Sequence, residues 1–261
     1  MITPEECMKL ELEGYGATSI IPAEEPYPRT YFEFAIADLE SEDTRRSCVN
    51  ALSNAKRALH FQIDLIAQAF GIQEVASPKM LFFPQKLEFC INCGVVGPRI
   101  LRKLNRVRNA MEHEYYIPSK EETEDFVDVV ELFLAATDRF MFRFPDLMEL
   151  SLKNEDFGGV ATKRVGLCIE PGSGVVEISL GQLEADYDEV HAEAAIQREK
   201  IEQESHEVSK QGKEVIALDS IEHLAYRRVI EPKMQKYSFS VSATEGESYF
   251  KWVSILTAKS K

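Results

Sequence analysis

Ser119-Lys120-Glu121-Glu122-Thr123-Glu124-Asp125-Phe126-Val127-Asp128-Val129-Val130-Glu131-Leu132-Phe133-Leu134 opens the most strongly patterned stretch of this chain. Ser119 and Glu122 form a capping box, in which hydroxyl and carboxylate each take up an amide left free at a helix start. Phe126, Val129, Val130, Phe133, Leu134, Thr137, Phe140, Met141 and Phe144 then share one side, the three-and-four spacing of a helix with a buried face. Pro145 is expected to end it. Glu131, Asp138, Arg139 and Arg143 interrupt Val129–Phe144, so this helix is not read as a membrane span.

Upstream, Ser41-Glu42-Asp43 reads as a helix start, a capping residue followed by acids that suit the positive helix end. Cys48, Leu52, Ala55, Leu59, Ile63, Ile66 and Phe70 supply its buried face, and Gly71 its stop. Pro84 is expected to open a short helix ending at Gly94, and Pro98 a longer one running to about Tyr116. Ile100, Leu104, Val107 and Met111 form the apolar stripe of the longer helix, which Pro118 stops. Helices joined by brief loops imply a bundle over 40–150. Residues 1–39 read as an irregular, Pro-rich arm in which the alternation of Phe32, Phe34 and Ile36 fits a short strand.

The pattern changes after Leu152. Lys163–Ile169 and Val175–Leu180 read as strands joined by the turn Pro171-Gly172-Ser173-Gly174. Residues 184–211 read as an acidic, solvated helix with a thin apolar stripe. Ser220–Gln235 is ambiguous, and Tyr237–Ala243 with Tyr249–Ala258 alternates like a closing hairpin. The expected class is α+β: an N-terminal helical bundle, then a smaller α+β region with antiparallel hairpins over 151–261.

The chain has 261 residues, 44 % of them hydrophobic, enough for a sizeable core. The formal net charge of -14 opposes nucleic acid and membrane surfaces unless positive charge is concentrated somewhere. Cys7, Cys48, Cys90, Cys93 and Cys168 are odd in number and irregularly spaced, which argues against a disulfide framework. Met-Ile-Thr-Pro-Glu-Glu lacks the pattern of a secretory leader, so a cytoplasmic, reducing location and no membrane partner are expected. Cys90-Ile91-Asn92-Cys93 is a lone pair without the further ligands that zinc requires. His191, His206 and His223 show no metal-ligand spacing.

One stretch reverses the charge balance of the chain. Between Glu88 and Glu112 no acid occurs, while Arg99, Arg102, Lys103, Arg106 and Arg108 do. Positions 99, 102, 103 and 106 share a helical face, a row suited to phosphate oxygens. The same stretch carries Arg108-Asn109-Ala110-Met111-Glu112-His113, an arginine followed by a polar residue and then a histidine, late in an expected helix and ahead of a final apolar one. This resembles the signature of the HEPN domain family, and with the long helix containing Asn50–His60 the resemblance extends over about residues 40–147. It implies a metal-independent endoribonuclease, in a toxin–antitoxin or phage-defence setting, with Arg108 and His113 catalytic and no cofactor. Asn109 and Glu112 would support them, and Arg99, Arg102, Lys103 and Arg106 would hold RNA. Two signatures meeting across a homodimer are implied as well, with an antitoxin or other protein as a further partner.

The chemistry suits these residue types. Histidine titrates near neutrality and can take the proton of a 2′-hydroxyl. Arginine offers a permanently charged fork to phosphate oxygens. Residues five apart on one helix diverge by about 140° and rise about 7.5 Å, so the pair converges only through distortion or between two chains. Two other readings stand beside this one. In the first, Arg108 pairs with Glu112 and the bundle is a non-catalytic dimerisation or protein-interaction module. In the second, the C-terminal region senses a ligand in a closed apolar pocket and the bundle is its output. The acidic stretch 184–211 would also complement the basic helix and hold a nuclease in check.

Overall fold

A computed structural model describes residues 2–41, 44–75, 82–95, 117–209 and 218–260. The fold is α+β, with a five-stranded antiparallel sheet. The strands β1 (Glu11–Thr18), β2 (Phe144–Asn154), β3 (Val160–Ile169), β4 (Val175–Leu183) and β5 (Met234–Ser242) lie in chain order, β1-β2-β3-β4-β5. Between β1 and β2 come α2 (Pro28–Glu40), α3 (Arg45–Ala69), α4 (Ile72–Val75), α5 (Phe83–Asn92) and α6 (Lys120–Phe142). Between β4 and β5 come α7 (Tyr187–Ser209) and α8 (Leu218–Lys233). The short α1 (Pro4–Cys7) precedes the sheet and α9 (Glu247–Lys259) follows it. Among the described residues no helix is long and apolar enough to cross a membrane.

The chain divides into two compact units, each gathered from separated stretches. The larger holds Tyr15–Leu147, Cys168–Val176 and Val241–Lys261. Its α6 begins with the expected capping box: the Glu122 amide donates to Ser119 Oγ at 3.2 Å, and the Ser119 amide to Glu122 Oε2 at 2.9 Å. Phe126, Val130, Phe133, Leu134, Phe140 and Met141 are buried. The helix ends at Phe142, and Pro145 lies inside β2. A proline is tolerated near the start of a strand, where the missing donor costs least. Where α3 meets α6, the buried Gln62 amide donates to Leu134 O, Thr137 Oγ1 and Asp138 Oδ1 at 3.3, 2.7 and 3.1 Å.

Four local expectations are corrected. Tyr31–Leu39 is not a strand but part of α2: Pro28 fits its first turn, and the buried residues are Phe32 and Ala35, three apart, while Phe34 is exposed. The irregular arm supplies β1 instead. Ser41 closes α2 rather than opening α3; Thr44 caps α3, accepting the Ser47 amide at 3.1 Å. Tyr249–Ala258 is helical, not the second arm of a hairpin. Tyr249, Trp252, Val253, Leu256 and Thr257 are buried at three-and-four spacing, with Ile255 buried beside them, and Gly246, at φ +60°, turns the chain into the helix. The expected helix from Pro98 to Tyr116 lies outside the described residues.

The C-terminal end of α3 is fastened by the β3–β4 turn. Gly71 has φ +81°, and Gly172 N–H donates to Ala69 O at 2.8 Å. Gln73 Nε2 donates to Gly172 O at 2.8 Å, and Ala243 N–H to Gly174 O at 2.7 Å. Tyr249 donates its hydroxyl proton to Phe70 O, and burial pushes that phenol well above its ordinary range.

The smaller unit holds Met1–Gly14, Met148–Leu167 and Glu177–Ser240. The ambiguous stretch Ser220–Gln235 is mostly α8, which packs on α7. Phe157, Val160, Leu183, Val190, Ala194, Val229 and Ile230 form its main core. Ile201 of α7 meets Ile221 and Ala225 of α8 in a second cluster. The thin apolar stripe of 184–211 is thus buried at Val190, Ala194 and Ile201, while the acids around it stay in solvent.

Candidate functional site

The sequence-derived site residues Arg99, Arg102, Lys103, Arg106, Arg108, Asn109, Glu112 and His113 all lie within 96–116, outside the described residues. Their chain neighbours are described. Before them Gly94, two residues past the end of α5, has φ +75°, and its amide donates to Ile91 O at 2.9 Å. After them Pro118 is buried and Ser119 caps α6.

Cys90 and Cys93 are both buried. Burial pushes the Cys90 thiol up to about 12 and raises that of Cys93 as well. Protonated, apolar-packed thiols are poor nucleophiles and poor metal ligands. These cysteines act as core side chains, with Cys90 Sγ 3.9 Å from Ile63 O.

Two clefts stand out, one in each unit. In the larger unit Tyr31, Ser53, Lys56, Arg57, His60 and Asp64 surround a hollow of about 700 Å³. The His60 ring stacks on Phe83 with centroids 4.1 Å apart, and Arg57 lies over the Tyr31 ring at 6.0 Å. Lys86 pairs with Asp64 at 2.8 Å, and Lys56 and Arg57 of α3 line the same hollow.

In the smaller unit a cleft of about 920 Å³ lies over the strands. Period-two alternation sends Glu149, Ser151 and Lys153 of β2 to it, with Arg164 and Gly166 of β3 and Ser179 and Gly181 of β4. His223, Arg227 and Glu231, four residues apart on α8, line it together, and Lys236 and Tyr237 of β5 complete the wall. Glu231 accepts from Arg227 at 2.8 Å and from Arg164 at 3.4 Å. Burial opposes its ionisation, but the two guanidiniums outweigh that and hold the carboxyl below its ordinary range. His223 Nδ1 lies 3.0 Å from Gly158 O. A carbonyl only accepts, so Nδ1 carries the proton and Nε2 is the acceptor of the neutral ring.

Glu13 anchors the opposite side. It accepts the Ser151 hydroxyl at 2.6 Å and pairs with Lys153 at 3.0 Å. The Ser151 bond, then the Lys153 bond, lowers its pKa below the ordinary 4.5. A depressed carboxyl stabilises the fold above its unfolded pKa and loses that contribution as pH falls through the folded one. Ser151→Ala should therefore raise the Glu13 pKa towards 4.5, read by carbon-13 NMR of its carboxyl, and leave the protein less sensitive to acid. An unchanged titration in the variant would remove Ser151 as the cause.

Compared with protein-family models, curated proteins and solved structures, the chain matches none. The functional reading therefore rests on its own residues. Sequence reasoning missed the cleft of the smaller unit because its side chains come from β1, β2, β3, β4, α8 and β5. The one available signal was the spacing of His223, Arg227 and Glu231 within a stretch of ambiguous pattern.

Proposed function

We propose that this protein is a metal-independent endoribonuclease of HEPN type, with Arg108 and His113 as its catalytic pair and a homodimer as its working form. The observation that carries the reading is the sequence itself: an acid-free, arginine-rich window between Glu88 and Glu112 runs into the signature, on a chain of net charge -14. Support comes from its flanks. The chain enters the window from a helix, α5, and leaves it into the capped helix α6, which packs on α3. A capped apolar helix following the signature is what the resemblance implies.

His113 removes the proton of a 2′-hydroxyl, whose oxygen attacks the adjacent phosphorus. The 5′-oxygen leaves and takes up a proton, giving a 2′,3′-cyclic phosphate and a 5′-hydroxyl end. Arg108 binds the phosphate oxygens as negative charge builds on them. Asn109 and Glu112 orient the pair, and Arg99, Arg102, Lys103 and Arg106 hold neighbouring phosphates.

The test is cleavage of a single-stranded RNA in excess EDTA, beside DNA of the same sequence. RNA fragments ending in cyclic phosphate, with the DNA intact, are the expected products. Cleavage of both polymers, or of neither, would count against this chemistry.

A further inference from the structure

The cleft of the smaller unit belongs to no part of this nuclease reading, and its charges are sorted. On the side of β3, α8 and β5 stand Arg164, Arg227 and Lys236 against the single carboxylate of Glu231. On the side of β1 and β2 stand Glu13 and Glu149 against the single ammonium of Lys153. Each side is partly neutralised from within. Glu231 is shared by two guanidiniums, and Glu13 is taken by Ser151 and Lys153. Among the described residues this leaves Glu149 and Lys236 as the charged side chains of the cleft without an ion pair. They stand on β2 and β5, three strand spacings or about 14 Å apart.

The floor between them is low. Ala161, Gly166, Ser179 and Gly181 present little or no side chain there. A Cβ at Gly166 would lie 2.5 Å from Ser179 Oγ, and one at Gly181 would lie 3.2 Å from Met234 Cε. A side chain at either position would meet Ser179 or Met234, and the two glycines leave a shallow bed on which a flat ring can lie. Tyr237, which donates to Glu184 Oε1 at 2.9 Å, adds an aromatic wall at the basic side. The volume falls in the range that holds a small organic ligand, about 300–1,000 Å³.

We propose that this cleft binds a small phosphorylated molecule bearing an amine-substituted heterocycle, of the nucleoside monophosphate class. Its phosphate faces Arg227, Arg164 and Lys236, its ring lies over Gly166 and Gly181, and its exocyclic amine donates to Glu149. A guanidinium fork with a neighbouring ammonium matches phosphate geometry and charge. A carboxylate with no partner of its own is an acceptor that an amine satisfies.

The experiment is calorimetric titration of the full chain with AMP, GMP, CMP, UMP, cytidine and inorganic phosphate. At least one of AMP, GMP and CMP, which carry an exocyclic amine, is expected to bind with micromolar affinity. UMP, which lacks that amine, and phosphate alone should bind at least about tenfold more weakly. Lys236→Glu places an acid where the phosphate sits, at an exposed strand position that the fold does not depend on, and should weaken the best nucleotide about tenfold or more. Glu149→Gln should shrink the advantage of that nucleotide over UMP. Absence of binding by AMP, GMP and CMP at millimolar concentration overturns the proposal. So does UMP binding as tightly as the best of them, or binding that Lys236→Glu leaves intact. None of these residues belongs to the Arg108–His113 motif, so a failure here leaves the nuclease reading standing, and the reverse.

Discussion

His113→Ala is expected to lower RNA cleavage in EDTA by about 10²–10⁴-fold, the usual contribution of a positioned general base. Arg108→Ala should be at least as severe, because it removes the charge that meets the phosphate at its most negative point. Arg108→Lys keeps the charge but loses the fork, and should recover only part of the rate. The two alanine variants also test where the site is built. If Arg108 of one chain works with His113 of the other, mixing inactive Arg108→Ala and His113→Ala chains restores one intact site in each mixed dimer. Activity should then return to roughly a quarter of the parent after exchange of subunits. A mixture that stays inactive while subunits demonstrably exchange would place both residues in a single chain. Cleavage that survives His113→Ala would sink the assignment of the base.

Gly71→Ala is expected to be the most destabilising single methyl added to the described residues. At φ +81° any side chain is strained, and a Cβ there would lie 2.1 Å from Gly174 Cα and 2.4 Å from Gly174 N. The obstacle is backbone, so no rotamer change relieves it. Relief requires moving the turn that donates Gly172 N–H to Ala69 O and accepts Ala243 N–H at Gly174 O. The cost should be about 3–5 kcal/mol, among the largest that one substitution produces. For a chain of this size that corresponds to a fall in Tm of roughly 5–10 °C. Thermal unfolding followed by circular dichroism reads it directly, with Gly159→Ala as the control. Gly159 also has positive φ, +72°, but nothing lies within 4 Å of its added Cβ. Equal losses in the two variants would show that backbone strain alone, not the close approach to the turn, sets the cost.

The pattern of the helices was legible where local signals agreed. The Ser119–Glu122 box, the stop at Gly71 and the turn at Pro171–Gly174 each depend on residues within a few positions of one another, and each appears where the sequence places it. The errors fell where two periods fit the same residues. Phe32, Phe34 and Ile36 suit a strand by alternation, but Pro28 and the burial of Phe32 with Ala35 decide for a helix. Tyr249–Ala258 is apolar enough for either period, and packing against Phe70 and Cys93 selects the helical one, through the Tyr249 hydroxyl and through Thr257 Oγ1, which donates to Cys93 O at 3.0 Å. β1 was not legible, because an edge strand with no buried residue carries little pattern. The cleft of the smaller unit was not legible either. A site assembled from several elements has no spacing in one dimension.

The fastening of α3 and α5 to α9 has a consequence for the birth of the protein. Phe70 O and Cys93 O wait for Tyr249 and Thr257, which are translated long after α6 is complete at Phe142. At ordinary synthesis speeds the early helices remain without that cover for roughly 6–25 s. During this interval their apolar faces are open to chaperones and to other nascent chains. A ribosome that stalls before α9 is made therefore leaves a chain with its early helices formed and the cover of Phe70 O and Cys93 O missing, a natural substrate for quality control.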